Sequence, residues 1–362
     1  MAGVSSLALD PRRLGVRVDV VLEIDGRPVI DSRTAAILAL VEKHGSLLAA
    51  ARILGIPYSR TWEAIVRAER AIGFRLIEAK RGGRGGGGAR LTQDGKKVLE
   101  EYMRVYRRVT GREFVVEKPL GGLPDLVYMG SHDPGVEILG GIIRKMGVEH
   151  IELSWTGSGL GLAALALGEA DLAGIHLLDP ETGEYNNPYI KRHWLEGKVA
   201  LVRGYDREIG FMTRSPMTLE EVLDGLVRGE LKLVNRQRGA GTRVLLDTIL
   251  EKHARKLGID PETLPRRIRG YEREVETHLD VARMVASGEA DVGLGIRWAA
   301  SHYGLYFTRV TWENFDFVIP LHRMEREPVK KALEALVSKE FRKQLGRLEG
   351  YRVPSDIGTR IM

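Results

Sequence analysis

Residues 81–92 read RGGRGGGGARLT. Six of these twelve are glycine, arginines are set among them, and no acid is present. Glycine at that density holds no helix and costs entropy in a strand, so the tract is a loop or a hairpin tip. FRLIEA before it (74–79) and ARLT at its end supply two short strands, which makes a hairpin tipped with bare backbone and guanidinium. With no Cβ in the way such a tip can lie against a phosphate backbone, and Arg81 and Arg84 add charge and a planar fork of donors. A disordered basic linker is the plainer reading of the tract alone. What lies upstream decides between them.

Val16–Ile30 alternates apolar and polar residues around Asp25-Gly26, a hairpin pattern with a turn that needs positive φ. Arg33–His44 carries Ile37, Leu38, Leu40 and Val41 at helical spacing and stops at Gly45. Ser46 caps a second, short helix, SLLAAARIL, whose alanines permit close packing and which stops at Gly55. Pro57 suits the first turn of a third helix, PYSRTWEAIVRAERAIG, which ends at Gly73. A short helix, a tight turn and a longer helix make a helix-turn-helix, and the glycine hairpin after it makes the unit winged. The third helix is expected in the major groove, with Tyr58, Ser59, Arg60, Glu63 and Arg67 toward bases or phosphates and Trp62 and Ile65 toward the core. A solvated helix face is the competing account of Arg60 and Arg67. Gln93–Arg112 then reads as an amphipathic helix with a stripe of Val98, Leu99, Tyr102, Val105, Tyr106 and Val109. It is expected to pair two copies into a homodimer suited to a two-fold double-stranded DNA operator.

Charge points the same way. The chain carries +6 overall, but residues 1–113 hold 21 Lys and Arg against 13 Asp and Glu, while the rest holds 34 against 36. The basic excess, and so the polyanion partner, belongs to the first third. Cysteine is absent, which excludes disulfides, thiol nucleophiles and thiolate metal sites and suits a reducing cytoplasm. The start, MAGVSSLALDPRRLG, has no basic segment leading into an apolar run, so no signal peptide is expected. The longest uncharged run, Leu153–Gly168, has 16 residues with four glycines and two serines, too short and too polar for a bilayer. A cytoplasmic protein with no membrane partner is the expectation. No P-loop, nucleophile–base pair or histidine cluster at metal spacing is present, so no enzyme, metal or cofactor is expected.

At 362 residues the chain has room for two or three domains. Residues 1–113 form the winged unit, with its pairing helix at about 93–112, and 114–124 form a linker. After it, an apolar strand, a loop of small polar residues and a helix recur four times: DLVYMG-SHDPG-VEILGGII, HIELSW-TGSG-LGLAALAL, LKLVN-RQRGAGT-RVLLDTIL and EREVE-TH-LDVARMVA. Such alternation implies an α/β fold whose loops gather at the carboxyl ends of parallel strands. GEAD also recurs, at 168–171 and 288–291, each time between a helix and an apolar strand. Locally it suits a helix cap and turn. As a repeat it argues for two similar lobes over 125–350: lobe I at about 125–203 and 310–350, lobe II at about 206–302.

Helix N-termini that converge on a cleft favour a small anion. The donors chosen are Ser131 and His132 in the first loop, Thr156 and Ser158 in the second, Arg238 and Thr242 in the third, and Thr277 and His278 in the fourth. Ser131, Thr156 and Thr277 read equally as helix caps. Arg236 and Arg238 flank Gln237, so one of them faces solvent; Arg238, beside the glycines, is assigned to the cleft. Tyr185, Asn186 and Asn187 are placed in a polar loop over it.

Two resemblances sharpen this. LEIDGRPVI, YSRTWEAI and the glycine wing, over about 16–112, resemble the DNA-binding domain of the ModE-like molybdate-responsive regulators, which is related to the LysR-type winged helix. Those regulators carry small β-barrel molybdate domains, and this chain does not. TGSGLGLAALALGEADLAGIHLLDPETGEYN, LVNRQRGAGTRVLLD and THLDVARMVASGEADVGLG, within 125–350, resemble the type II periplasmic-binding-protein fold, and within it molybdate-binding-like domains fused to such winged helices. The resemblance implies a transcription regulator that senses molybdate or tungstate. The donors themselves imply only a compact anion, which sulfate or a small carboxylate also satisfies. A solute receptor of a transport system would use the same C-terminal fold, and the basic first third argues against it.

Overall fold

A computed structural model describes residues 19–83, 86–116, 124–238 and 240–362, with the backbone path alone at 80–83 and 86–87. The chain divides into two compact units, one drawn from residues up to 78 and from 89 to 120, the other mainly from 121 onward.

In the first unit β1 (Leu22–Ile24) and β2 (Arg27–Ile30) form an antiparallel hairpin. Asp25 at φ 51° and Gly26 at φ 75° make the turn that Asp-Gly favours. Helix α1 (Ser32–His44) is capped by Asp31, which accepts from the Thr34 amide at 2.7 Å, and closes on Gly45 at φ 67°. Helix α2 (Leu47–Leu54) is capped by Ser46, and α3 (Tyr58–Ile72) begins directly after Pro57. Ile37, Leu38, Val41, Ala50 and Ile65 are buried among these three helices. The wing strands β3 (Ile77–Gly83) and β4 (Gly86–Leu91) pair in a two-stranded sheet. The Glu69 carboxylate ties α3 to the wing by accepting from the amides of Leu76 and Ile77. Helix α4 (Gln93–Thr110) starts so close to the wing that a Cβ on Gly95 would lie 2.1 Å from the Leu76 carbonyl oxygen. Residues 16–18 and Arg84 lie outside the described residues.

The second unit holds two hydrophobic cores, each under its own α/β layers. The first core is built on β5 (Leu126–Gly130), α5 (Pro134–Lys145) and β6 (Ile151–Trp155); α6 (Ser158–Ala166), β7 (Ala173–Ile175) and the short helix α7 (Asn187–Arg192) follow in the chain. The chain then leaves along β8 (Val199–Thr213), a 15-residue strand. The second core holds α8 (Leu219–Val227), β9 (Leu233–Arg236), α9 (Gly241–Lys256), α10 (Leu264–Arg267), β10 (Glu274–Val275), α11 (His278–Ala286), β11 (Val292–Ile296) and α12 (Arg297–His302). The return is along β12 (Tyr306–Pro320), also 15 residues. Helices α13 (Glu327–Val337) and α14 (Lys339–Leu345), split at Ser338, bury Leu336 and Leu345 in the first core before β13 (Tyr351–Arg352).

One seven-stranded sheet runs in the order β10-β9-β11-β8-β12-β7, with β13 on β8, and β5 pairs parallel with β6. A parallel bridge from Tyr128 to Leu172 joins β5 to the approach of β7. The long strands β8 and β12 are antiparallel over their whole lengths and run from one core into the other.

The GEAD repeat does the same work in both halves. Gly168 and Gly288 adopt φ of 73° and 78° beyond a helix end, a conformation that favours glycine. Asp171 then accepts from the Val127 amide and Asp291 from the Lys232 amide, so each aspartate pins the neighbouring parallel strand. Each also holds arginine: Arg323 and Arg326 on Asp171, Arg214 on Asp291. No helix among the described residues is long and apolar enough to cross a membrane.

Candidate functional sites

In the winged unit, Arg60, Glu63 and Arg67 project from one exposed stripe of α3, and Ser59 is half-buried beside them. A concavity lined by Arg60, Glu63, Arg67, Arg33 and Asp31 runs along this stripe, between α3 and the start of α1. Tyr58 is the correction: it is 5% exposed, because it opens the helix on the side that packs against the core, so its side chain offers no face to a groove. Ile65 is buried, while Trp62 is half-exposed in a second concavity with Phe74. Arg81 lies on β3, where only the backbone is described, and Arg84 lies outside the described residues.

In the second unit, the loops that follow β5, β6, β9 and β10 come together at the carboxyl ends of their strands. Tyr128 donates its hydroxyl hydrogen to the Ser131 carbonyl at 2.7 Å, which shapes the first loop. The Ser131 and Ser158 hydroxyls are 2.9 Å apart, and Ser158 Oγ accepts from the His176 amide. The Thr156 hydroxyl reaches only the Gly157 carbonyl, at 3.5 Å. His132 packs edge-on against Trp155 and places Nε2 3.1 Å from Glu137, and its buried Nδ1 has no partner among the described residues. From the other half come Thr242, in the first turn of α9, and His278, the first residue of α11, both about 1% exposed. Among the described residues, the Thr242 hydroxyl and both His278 nitrogens have no partner. The halves meet here: a Cβ on Gly241, at the start of α9, would lie 2.4 Å from the carbonyl oxygen of His176.

Two of the chosen donors are not in this cluster. Arg238 is 74% exposed and pairs with Glu272 and Glu274, so its assignment to the cleft is corrected. Strand β9 ends at Arg236, which therefore keeps the inward direction of a strand end, whereas Arg238 falls in the turn beyond. Thr277 is spent as the cap of α11: it accepts from the Asp280 amide and donates to the Asp280 carboxylate.

Arg236 takes the place given to Arg238. It is 5% exposed, and its Nη2 donates to the Glu276 carbonyl at 2.7 Å, while Nε and Nη1 have no partner among the described residues. Among the described residues no carboxylate pairs with it. Burial, reinforced by the nearby Arg207 charge, pulls its pKa down to about 10. Arg207 is the opposite case. Fully buried on β8, it donates from Nε to Glu313 at 2.8 Å and from Nη1 to Asp133 at 2.6 Å. Burial alone would lower its pKa, but these two carboxylates hold it above the usual range. Asp133 also caps α5 through the Gly135 amide and accepts the hydroxyls of Tyr205 and Tyr351. His176 Nδ1 lies 2.8 Å from Glu313, and burial lowers its pKa although the carboxylate pulls the other way. His278 is pushed well below the usual histidine range by burial and then by the Arg236 and Arg207 charges.

Tyr185 is partly buried near Glu313 and Arg207, and burial holds its proton on. Asn186, at φ 64°, is a structural residue: it accepts from the Leu177 amide and donates to Asp316. Asp133, His176, Arg207, Arg236 and Glu313 were not chosen from the sequence. The available signal was a charge inside an otherwise apolar strand, as in VALVRGYDREIGF and TWENFDFVI. Among the described residues no group of His, Asp and Glu is arranged to hold a metal ion. What the cluster offers is hydroxyls, imidazole and one uncompensated guanidinium.

A PBP superfamily domain matches residues 144–337, more than half of the chain, and the lysR family of bacterial regulatory helix-turn-helix proteins matches 33–96. The uncharacterized protein YvgK of Bacillus subtilis is 29% identical over 267 residues, 72% of this chain and 83% of that protein. The transcriptional regulator ModE of Yersinia pestis is 35% identical over 81 residues, 22% of this chain and 31% of ModE. Among solved structures, an H2O2-bound mutant of Corynebacterium glutamicum OxyR is 17% identical, with a TM-score of 0.42 over 87% of this chain and 94% of OxyR. The chain belongs to the PBP superfamily and joins to that domain a lysR-family helix-turn-helix, the make-up of a LysR-type transcriptional regulator with a ligand-binding domain.

Proposed function

We propose that the protein is a molybdate- or tungstate-responsive regulator. Its two lobes close on the oxyanion, and its winged helix, paired through α4, binds a two-fold operator. The observation that carries the anion is Arg236: a buried guanidinium with no carboxylate partner among the described residues, in a part of the fold where Thr242 and His278 also have buried polar atoms without partners among the described residues. A buried charge left unpaired costs several kcal/mol, roughly 3–5, and a small anion supplies the missing partner with charge-assisted hydrogen bonds. Ser131, Thr156, Ser158 and His132 would hold it from lobe I; Arg236, Thr242 and His278 from lobe II.

The choice of molybdate or tungstate rests on relatives. Pairing through α4 is supported by Val109, 57% exposed, and Val115, 62% exposed, flanking the Tyr102–Tyr106–Phe114 ring cluster. Readout by α3 is supported by its exposed Arg60 and Arg67.

Coupling requires that the anion bind one conformation better than the other. The test is a thermal-shift panel of molybdate, tungstate, sulfate, phosphate and small carboxylates, followed by operator titrations with and without the anion that binds. A panel without any shift removes the oxyanion. Operator affinity unchanged at saturating anion removes the sensing.

A further inference from the structure

We infer that the groove at the carboxyl end of α3 is a docking site for an acidic segment of a partner protein that carries apolar anchors. The groove is an open concavity of about 440 Å³ whose lining includes Trp62, Val66, Glu69, Arg70, Phe74 and Arg75. Its apolar part is Trp62 and Val66, both half-buried, and Phe74, 41% exposed. The core side of α3 is filled without them, by Tyr58, Thr61, Ile65 and Ala68. An indole left half in water beside an exposed phenyl ring is apolar area that a partner can still remove from solvent.

The charge of the groove selects that partner. Arg70 and Arg75 are exposed, and their guanidinium groups enter no ion pair or hydrogen bond among the described residues. Elsewhere in the same unit Arg90 holds Glu78 and Arg104 holds Glu101. The one acid in the lining, Glu69, is spent on the amides of Leu76 and Ile77, at 2.8 and 3.2 Å. The groove therefore offers apolar surface, two uncommitted cations and no free carboxylate. Trp and Arg are the residues on which interface energy concentrates, and Asp or Glu set beside Leu or Phe complements both parts of the surface. A DNA backbone would match the cations alone, since phosphate brings nothing apolar to the indole. The groove is also turned from the stripe of Arg60, Glu63 and Arg67. Trp62 and Val66 each stand one residue before a member of that stripe, about 100° round the helix. The winged unit thus gains a protein partner besides its operator, independent of any anion.

The experiment is fluorescence anisotropy of the full chain with a labelled synthetic peptide of Asp, Glu, Leu and Phe, and with a twin carrying Lys in place of each acid. Both are run at about 50 mM and about 300 mM salt, because exposed charge pairs are screened as salt rises. The acidic peptide should bind and the twin should not. The double variant Arg70→Glu, Arg75→Glu should weaken the acidic peptide about tenfold at low salt and let the twin bind. Trp62→Ala should weaken the acidic peptide about tenfold at both salt concentrations, as loss of an apolar anchor does. Thermal unfolding checks that each variant is folded; both arginines are exposed and unpaired, so the charge-reversed protein decides the matter if Trp62→Ala does not fold. An acidic peptide that the native chain ignores, or that the charge-reversed protein binds as well as the native one, overturns the inference. Loss of duplex-DNA affinity in the charge-reversed protein, with a flatter salt dependence and no change toward the peptides, makes the groove a DNA flank and overturns it. A changed oligomeric state of that protein in sedimentation assigns the groove to a contact between copies and overturns it too.

Discussion

Replacing Arg236 by Met separates a binding charge from a structural one. Methionine fills a similar volume, adapts to irregular surroundings and carries no charge. Burial pulls the Arg236 pKa down to about 10, against an ordinary arginine value of at least ~12.5, and a fall of that size corresponds to about 3 kcal/mol against the charged form. The variant also loses the hydrogen bond from Nη2 to the Glu276 carbonyl, worth about 1.5–3 kcal/mol for a charged donor. The difference leaves the unligated variant as stable as the native protein or more so, by up to about 1–2 kcal/mol. For a unit of this size that is a rise of roughly 2–8 °C in melting temperature at the upper end. The assay is thermal unfolding in a low-chloride, phosphate-free buffer, with and without molybdate. At a hundredfold excess over Kd the native protein should gain about 2.7 kcal/mol, and the variant should gain none at the same concentration. The opposite pattern refutes the reasoning. Breaking a compensated buried ion pair costs about 3–5 kcal/mol, so a variant that melts well below the native protein, yet still responds to molybdate, would mean that Arg236 is a structural cation.

Three more outcomes are expected. Gly241→Ala puts a methyl 2.4 Å from the His176 carbonyl oxygen; it should weaken molybdate binding at least tenfold by holding the halves apart, and small-angle scattering should show a larger radius of gyration for the variant with molybdate than for the native protein with molybdate. Arg60→Ala and Arg67→Ala should each lower the slope of log affinity against log salt by about 0.9 where a phosphate contact is lost, as read by fluorescence anisotropy on operator DNA across a salt series; slopes equal to the native value would place both arginines off the DNA. His176 and His278 are both held below the ordinary histidine range, so they are neutral in folded and unfolded chains at about pH 8. As pH falls through about 6.5 the unfolded chain takes up protons that the folded one refuses, and stability should fall by up to about 1.4 kcal/mol per pH unit for each ring. Urea midpoints that stay flat between about pH 8 and 5.5 would contradict this.

The winged helix and the binding-protein fold were legible because local rules carry them. Asp25-Gly26 can make one kind of turn, Ser46 one kind of cap, and Gly45, Gly55, Gly73 and Gly111 each end a helix at positive φ. The loops between β5 and α5, β6 and α6, and β9 and α9 were legible for the same reason, as small polar residues between an apolar strand and a helix. Direction was harder to read. Arg236 and Arg238 differ by two positions, and where β9 ends decides which of them faces inward. Tyr58 opens a helix whose rotation is set by packing, so a polar hydroxyl near the start said little about its face. The Arg207–Glu313 pair was out of reach, since its members stand 106 residues apart and meet through the register of β8 on β12.

That register has a mechanical consequence. The chain passes between the halves on β8 and back on β12, and these crossings are bonded to each other along their length, with irregularities at Arg309/Thr311 and Phe315/Phe317. Neither crossing is a slack tether. Any swing of the jaws must be absorbed as torsion in a double ribbon, which resists and recoils as a spring does. On the proposed reading of an oxyanion regulator, the anion concentration needed for closure would then be governed by the ribbon's stiffness as well as by the grip on the anion, and loosening the ribbon at its irregular points would retune that threshold without touching a residue proposed to hold the anion.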